Sequence, residues 1–165
     1  WDFRFKFSKT GYSRNVFGSF NGDPLVHDGT IYFGSVNGQF NALELTGDVV
    51  WEIPIGLQGS PLLVSNSLFF VSDTNRLVRL NKSNGSLIWS KRLGKKNELN
   101  KFFGPVLLGS RIWISSSKGK LISFDAATGK EVTQISISAS LAGLPIYHSG
   151  TVILYTKSGE LIAFQ

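Results

Sequence analysis

Cysteine and methionine are both absent from the 165 residues, and histidine occurs only twice. Without cysteine the chain has no disulfide framework, no thiolate metal site and no cysteine nucleophile. No apolar run approaches the roughly 20 residues that a membrane-spanning helix needs. Acidic residues are also scarce: 17 Lys and Arg stand against 11 Asp and Glu, and the formal charge of +6 favours acidic partners. The chain begins at Trp1 without a methionine, a signal peptide or a lipidation cysteine, and we expect it to be a fragment of a longer protein.

What the sequence does contain is a repeat. Four prolines, Pro24, Pro61, Pro105 and Pro145, are 37, 44 and 40 residues apart. Each is followed by three short strand-like runs that are rich in branched and aromatic side chains, and the first three repeats add a glycine turn and a fourth run. No stretch shows sustained helical periodicity. Four short strands in about forty residues are typical of one blade of a β-propeller.

We therefore predict an all-β fold, a β-propeller of four four-stranded blades. Such a unit is either half of an eight-bladed propeller or pairs with a second copy, as a homodimer, to complete an eight-bladed ring. A single domain spans residues 1–165. Its predicted segments are an outer strand at 1–7 and blades at 24–55, 61–93, 105–138 and 145–165. The last blade lacks a fourth strand, which residues 1–7 could supply.

The hairpins between third and fourth strands share a motif with an acidic or amide residue, a Ser or Thr, a glycine and a tryptophan. The turn glycines, which supply left-handed backbone, are Gly47, Gly85 and Gly129. Trp51 and Trp89 are expected to lie as apolar plates between adjacent blades, whereas Thr133 replaces the tryptophan of the third copy. The pattern resembles the tryptophan-docking repeat of quinoproteins.

Across essentially the whole chain the sequence is similar to the C-terminal half of the BamB family of outer-membrane assembly lipoproteins. The similarity is closest over 71–89 and from residue 119 to the end. It implies a non-enzymatic scaffold without a cofactor that binds the POTRA domains of BamA and other Bam subunits. It also implies a location on the periplasmic side of the bacterial outer membrane, with a lipid anchor on the full-length protein.

The resemblance further implies where a partner would bind. In this family an acidic D-x-D pair ends three residues before a proline that opens a blade. With Pro24 as that proline, the pair falls on Ser19 and Asn21, and neither is acidic. The neighbouring candidates for the contact, with aromatic anchors among them, are Phe17, Phe20 and Asp23. The alternative for the two phenylalanines is that they fill the gap between blades.

Two other functions stay open. The quinone (PQQ)-dependent dehydrogenases share the repeat, but they are much longer and bind their cofactor on the ring axis with calcium, carboxylates and commonly a vicinal disulfide. This chain has no cysteine pair. The third alternative is an extracytoplasmic sensor propeller attached to a kinase or a surface protein.

We predict no catalytic, metal-binding or cofactor-binding residue. His27 and His148 each lie three residues after a repeat proline, so repeat geometry accounts for them, and two ligands are too few for a closed metal site. The densest basic run is Lys91, Arg92, Lys95, Lys96 and Lys101. It is either a solvated loop or a contact for an acidic protein or an anionic lipid surface. Nucleic acid is not an expected partner, because the aromatic residues lie at strand positions that should be buried.

Overall fold

The computed structural model describes residues 22–36, 38–95 and 99–164, and in these ranges all regular structure is β-strand. Among the described residues, fifteen strands form four antiparallel sheets, three with four strands and one with three. Within each sheet the strands follow one another in chain order, as they do in the blades of a propeller. The prediction of an all-β propeller fold is confirmed. The outer strand predicted at 1–7 lies outside the described residues. The described part of the chain contains no helix that could cross a membrane.

The four sheets are built as follows. The first contains β1 (Leu25–His27), β2 (Thr30–Gly34), β3 (Phe40–Glu44) and β4 (Val49–Ile53). The second contains β5 (Leu62–Val64), β6 (Ser67–Val71), β7 (Arg76–Asn81) and β8 (Leu87–Arg92). The third contains β9 (Phe102–Leu108), β10 (Arg111–Ser116), β11 (Lys120–Asp125) and β12 (Glu131–Ser136). The fourth contains β13 (Ile146–His148), β14 (Thr151–Tyr155) and β15 (Leu161–Phe164).

The central strands are continuous apolar runs because both faces of their sheet are covered. Successive side chains of a strand point to opposite faces. In β6, Leu68 and Phe70 therefore pack against the first sheet, whereas Phe69 and Val71 pack against the third. Every residue of β6 is buried. The second sheet is thus the middle layer of a face-to-face stack.

The cores between sheets differ in size. The core between the first and second sheets and the core between the second and third each contain nine buried residues, with Phe40, Phe70 and Phe102 among them. The core between the third and fourth sheets contains three, Leu121, Leu141 and Leu154, with half-buried neighbours around them. The stack of described sheets is therefore most strongly packed around its second member.

One strand boundary differs from the repeat pattern. β9 begins at Phe102, before Pro105 rather than after it. Phe102 lies on the N-terminal side of the proline, and its ring is buried in the core that faces the second sheet. This burial accounts for the earlier start of the strand. Between the pairs Trp113–Val106 and Ser115–Phe103, Ile114 of β10 faces two residues of β9, so a bulge at Gly104 and Pro105 accommodates the proline within β9.

Candidate functional site: the loop edge and the contacts between sheets

The sheets have two edges that carry different segments. At one edge lie the turns that join first to second and third to fourth strands. At the other, which we call the loop edge, lie the turns between second and third strands and the described parts of the connections between sheets, residues 54–61, 93–95, 99–101 and 137–145. Because β1 begins at this edge, Asp23 and Pro24, which directly precede β1, lie at this edge as well.

Hydrogen bonds fix the connection between the first and second sheets to the turns on either side of it. The N–H of Leu57 donates to the carbonyl of Ser35 at 3.0 Å, and the N–H of Asp73 donates to the carbonyl of Gly56 at 3.0 Å. The side-chain amide of Gln58 donates to the Asp73 carbonyl at 3.2 Å. Leu57 itself is buried in the core. This part of the loop edge is therefore an ordered backbone surface rather than a free loop.

The connection between the third and fourth sheets repeats the arrangement. The N–H of Ala142 donates to the carbonyl of Tyr155 at 2.9 Å, and the N–H of Lys157 donates to the carbonyl of Ser140 at 2.8 Å. Leu141 is fully buried, as Leu57 nearly is. Rigid sheets that hold ordered loops at one edge are a common platform for binding.

Of the five residues predicted to contact a partner, Asp23 alone lies in the described ranges. The other four, Phe17, Ser19, Phe20 and Asn21, lie outside them. Asp23 is exposed, and its N–H donates to the hydroxyl of Ser60 at 2.9 Å. The backbone of Gly22 lies so close to Gly59 and Ser60 that no side chain would fit at position 22. Gly22 and Asp23 therefore pack against the connection that precedes the second sheet.

The first joint between sheets is made by a tryptophan of β4. The indole N–H of Trp51 donates to the carbonyl of Lys82 at 2.8 Å, in the hairpin between β7 and β8. A Cβ on Gly85 would lie 2.8 Å from the Trp51 ring, and Gly85 has a φ of 69°. Both the ring contact and the left-handed backbone therefore require glycine here. Phe40 meets the same ring edge-on at a centroid distance of 5.4 Å.

The second joint repeats this contact and adds an arginine. The indole N–H of Trp89 donates to the carbonyl of Ala126 at 3.3 Å, and a Cβ on Gly129 would lie 2.7 Å from the ring. Arg79 lies directly opposite Trp89 in the sheet, and its guanidinium donates to the carbonyls of Ala126 and Ala127 at 3.2 and 2.9 Å. We did not predict this role for Arg79. A cation between two buried apolar residues of β7, Val78 and Leu80, and opposite the motif tryptophan, is the signal that could have revealed it.

The third joint, between the third and fourth sheets, lacks both the indole and the arginine. Thr133 stands at the tryptophan position of β12, and Ser123 lies opposite it in β11. The Ser123 hydroxyl is fully buried and has no hydrogen-bond partner among the described residues. As described, the fourth sheet has three strands and no hairpin between a third and a fourth strand that an indole could contact.

A set of cations, which we call the basic patch, lies along the loop edge at the ends of strands of the second and third sheets. Its members are Arg76, Lys91, Arg92, Lys101 and Lys120. Lys91, Arg92, Lys101 and Lys120 are exposed, and Arg76 pairs directly with Arg92 across the sheet. Lys96, which we assigned to the same basic run, lies outside the described residues. The patch can attract an acidic surface.

The opposite edge carries small polar networks. The Nδ1 of His27 lies 2.8 Å from the Asp28 carboxylate, and the Nζ of Lys82 lies 3.4 Å from the same carboxylate. Asp125 accepts hydrogen bonds from the hydroxyl and the N–H of Thr128, both at 2.7 Å, and these bonds lower the pKa of its carboxyl. Within the described ranges no group of three or more His, Cys, Asp or Glu could hold a metal ion.

Comparison with known proteins places this repeat in a family. A family model described as outer membrane protein assembly factor BamB matches residues 8–165. The chain belongs to the BamB family. BamB of Yersinia pestis is 25% identical over 143 residues, which are 86% of this chain and 36% of that protein. The family resemblance predicted from the hairpin motif is thus confirmed. The chain spans little more than a third of the length of the curated BamB relatives that it matches.

Solved structures show the same fold. The crystal structure of BamB from Moraxella catarrhalis aligns with a TM-score of 0.73 at 18% identity, over 92% of this chain and 50% of that one. Quinohemoprotein alcohol dehydrogenase from Comamonas testosteroni aligns with a TM-score of 0.68 at 14% identity, over 84% of this chain and 29% of that one. At these identities the likeness concerns the fold alone. BamB relatives and dehydrogenases therefore share the propeller, and the family match distinguishes between them.

Proposed function

We propose that this chain is part of a non-enzymatic, protein-binding scaffold of the machinery that assembles outer-membrane β-barrels. It binds the POTRA domains of BamA and contacts other Bam subunits. The observation that carries this proposal is the BamB family match over residues 8–165, together with curated relatives that are all named as outer membrane assembly factors. The same names support a place at the outer membrane. The proposal further includes a location on its periplasmic side and a lipid anchor on the full-length protein.

The loop edge has the properties that such a role needs. Its connections are held by backbone hydrogen bonds to neighbouring turns, so little conformational freedom remains to be lost when a partner binds. The basic patch adds a field that speeds the approach of an acidic partner surface and aligns it. Asp23 lies at this edge, and Phe17 and Phe20 precede it closely in the sequence. Aromatic side chains are good interface anchors, so we include both phenylalanines in the proposed contact.

The test uses the full-length protein that contains this chain and purified POTRA domains of BamA, in a pull-down followed by a titration. We expect binding, and a triple variant of the basic patch, Lys91→Glu with Arg92→Glu and Lys101→Glu, should weaken it by about tenfold or more, which corresponds to about 1.4 kcal/mol. The matched control reverses two exposed cations of the opposite edge, Arg111→Glu with Lys130→Glu, and should leave the affinity unchanged. Failure of the full-length wild-type protein to bind would refute the scaffold role.

The same preparation separates the scaffold from the dehydrogenase alternative. The protein is incubated with pyrroloquinoline quinone and calcium, then desalted, and its absorption spectrum is recorded. We expect no retained chromophore. A stoichiometric quinone spectrum would favour the dehydrogenase interpretation, which the shared propeller fold makes worth testing.

A further inference from the structure

A cleft of about 260 Å³ opens where the connection after β4 passes strands β7 and β8 of the second sheet. Pro54 and Ile55 of the connection, Val78 of β7 and Leu87 of β8 give it apolar surface. Val78 is buried, whereas Leu87 is 59% exposed although it lies opposite the fully buried Leu80. Apolar surface in this cleft is therefore left in contact with solvent.

Arg76 lines the same cleft, and its guanidinium is fixed by Ser90. The Nε of Arg76 donates to the Ser90 hydroxyl at 2.6 Å, and its Nη2 donates to the Ser90 carbonyl at 3.3 Å. The other N–H groups of this guanidinium have no partner among the described residues. A guanidinium that is already oriented loses little freedom when its remaining donors bind a carboxylate.

The charge of Arg76 is not neutralised within the described part of the chain. Arg76 lies directly opposite Arg92 in the sheet, and like charges in such a pair repel each other. Asp73 also lines the cleft, but among the described residues neither arginine forms an ion pair with a carboxylate. The cleft therefore combines an excess of positive charge with uncovered apolar surface, and the two together favour a ligand that is both acidic and apolar.

The equivalent positions of the third sheet lack this combination. There Lys120, opposite Ser136, stands in place of the two paired arginines. Glu131 takes the position that Leu87 has in the second sheet. A carboxylate and a missing apolar side chain at this point disfavour an acidic, apolar ligand, so the combination distinguishes the second sheet from the third.

We propose that this cleft binds a short peptide segment of a partner protein in which a Glu or Asp stands next to an apolar residue. The carboxylate binds the free donors of Arg76, and the apolar side chain packs on Ile55 and Leu87. The cleft is smaller than the roughly 300–1,000 Å³ of typical small-molecule sites, so it accommodates one or two side chains rather than a whole cofactor. The inference concerns a linear peptide and does not depend on the proposed function.

The test titrates the full-length protein that contains this chain into dye-labelled, capped pentapeptides with a central Glu or Asp flanked by Leu, Ile or Phe. Fluorescence anisotropy measures binding, and we expect it to saturate. Arg76→Gln should weaken binding by about tenfold or more, and Leu87→Ser by about threefold or more. The matched control Arg111→Gln removes an exposed arginine of the opposite edge and should leave the affinity unchanged. Circular dichroism checks that each variant is folded.

A double-mutant cycle assigns the carboxylate to Arg76. Replacing the central Glu or Asp of the peptide by Gln or Asn should weaken binding to the wild-type protein about as much as Arg76→Gln does. The Arg76→Gln protein should bind the acidic and the amide peptides equally. A general loss of structure would not produce this equality together with retained binding to Arg111→Gln.

Three outcomes overturn the proposal. The first is the absence of saturable binding of every peptide at millimolar concentration, and the second is equal binding of acidic and amide peptides to the wild-type protein. The third is that inorganic phosphate or vesicles with anionic lipid bind through Arg76 while the peptides do not. POTRA binding is measured separately, because neither Arg76 nor Leu87 is reversed in that test. A protein that binds the peptides but no POTRA domain would refute the proposed function and support this inference.

Discussion

The joint between the first and second sheets and the joint between the third and fourth differ at equivalent positions. In the first, Trp51 lies opposite Ala42, and its indole donates a hydrogen bond to the hairpin of the next sheet. Trp51 is one of the nine buried residues of the core between these two sheets. In the last, Thr133 lies opposite Ser123, and three buried residues form the core. The difference shows that the indole contact and the large core occur together, because the ring both fills volume between sheets and fixes their spacing.

The intermediate joint extends the comparison. There Arg79 lies opposite Trp89 and donates to the same hairpin carbonyl as the indole. Its guanidinium also lies 5.6 Å from the centroid of Phe69. A charged side chain at this inner position is tolerated because the hairpin supplies acceptors for it. Ser123, at the equivalent position of the third sheet, has a buried hydroxyl and no described partner. Polar groups at this position thus depend on the hairpin of the following sheet for their hydrogen-bond partners.

The largest expected effect comes from removing the indole where it is present. Trp51→Ala should lower the free energy of unfolding by about 3–5 kcal/mol, because it removes a buried ring and leaves a cavity between sheets. Thr133→Ala, at the equivalent position of the third sheet, should change it by no more than about 0.5 kcal/mol. Urea unfolding followed by circular dichroism measures both. Equal losses would contradict the idea that the joints differ.

A second comparison uses one leucine from a large core and one from the small core. Leu80 and Leu154 are both fully buried. Leu80→Ala should cost about 4 kcal/mol, whereas Leu154→Ala should cost about 2–3 kcal/mol, because the half-buried surroundings of Leu154 can move into the space. The same unfolding experiment applies. A larger loss for Leu154 would show that the small core is as tightly packed as the large one.

A third pair isolates the ring contact from backbone strain. Gly85→Ala and Gly150→Ala both place a side chain at positive φ, 69° and 84° respectively. The strain should cost about 1–2 kcal/mol in each. The new Cβ at Gly85 would also meet the Trp51 ring, whereas nothing lies within 4 Å of one at Gly150, so Gly85→Ala should cost about 1–3 kcal/mol more. If the two variants are equally stable, the indole does not require glycine.

The smallest effect concerns the turn of the third hairpin. Hydrogen bonds from Thr128 hold the pKa of Asp125 below its usual value of 3.8. A carboxyl with a lowered pKa contributes stability above its unfolded-state pKa, and this contribution is lost as the pH falls through its folded-state pKa. Asp125→Asn should therefore flatten the acid dependence of unfolding below about pH 4 and leave a slight loss at neutral pH. Unfolding titrations between about pH 2 and pH 7 measure this dependence of the unfolding free energy on pH. An unchanged acid dependence would show that Asp125 contributes nothing.

Asn81 provides a natural reference for that experiment. It occupies the same place in the second hairpin and accepts from the N–H of Ser83 at 2.8 Å without a charge. Asn81→Asp should therefore introduce an acid dependence like the one that Asp125→Asn removes. The two substitutions change equivalent turns of two sheets in opposite directions.

The sequence by itself determined the strands, the order of the sheets and the glycine positions of the hairpins. Short runs of branched and aromatic residues, bounded by turn residues, act over a few positions, and the forty-residue repeat copies them along the chain. Only the tertiary structure decided that Arg79 reaches the next hairpin, that Ser123 is left without a described partner, and that Leu57 and Leu141 close the loop edge. These contacts join residues from different sheets, up to 48 positions apart in the case of Arg79 and Ala127. Which side chains meet there depends on how neighbouring sheets stack, and no local pattern encodes that stacking.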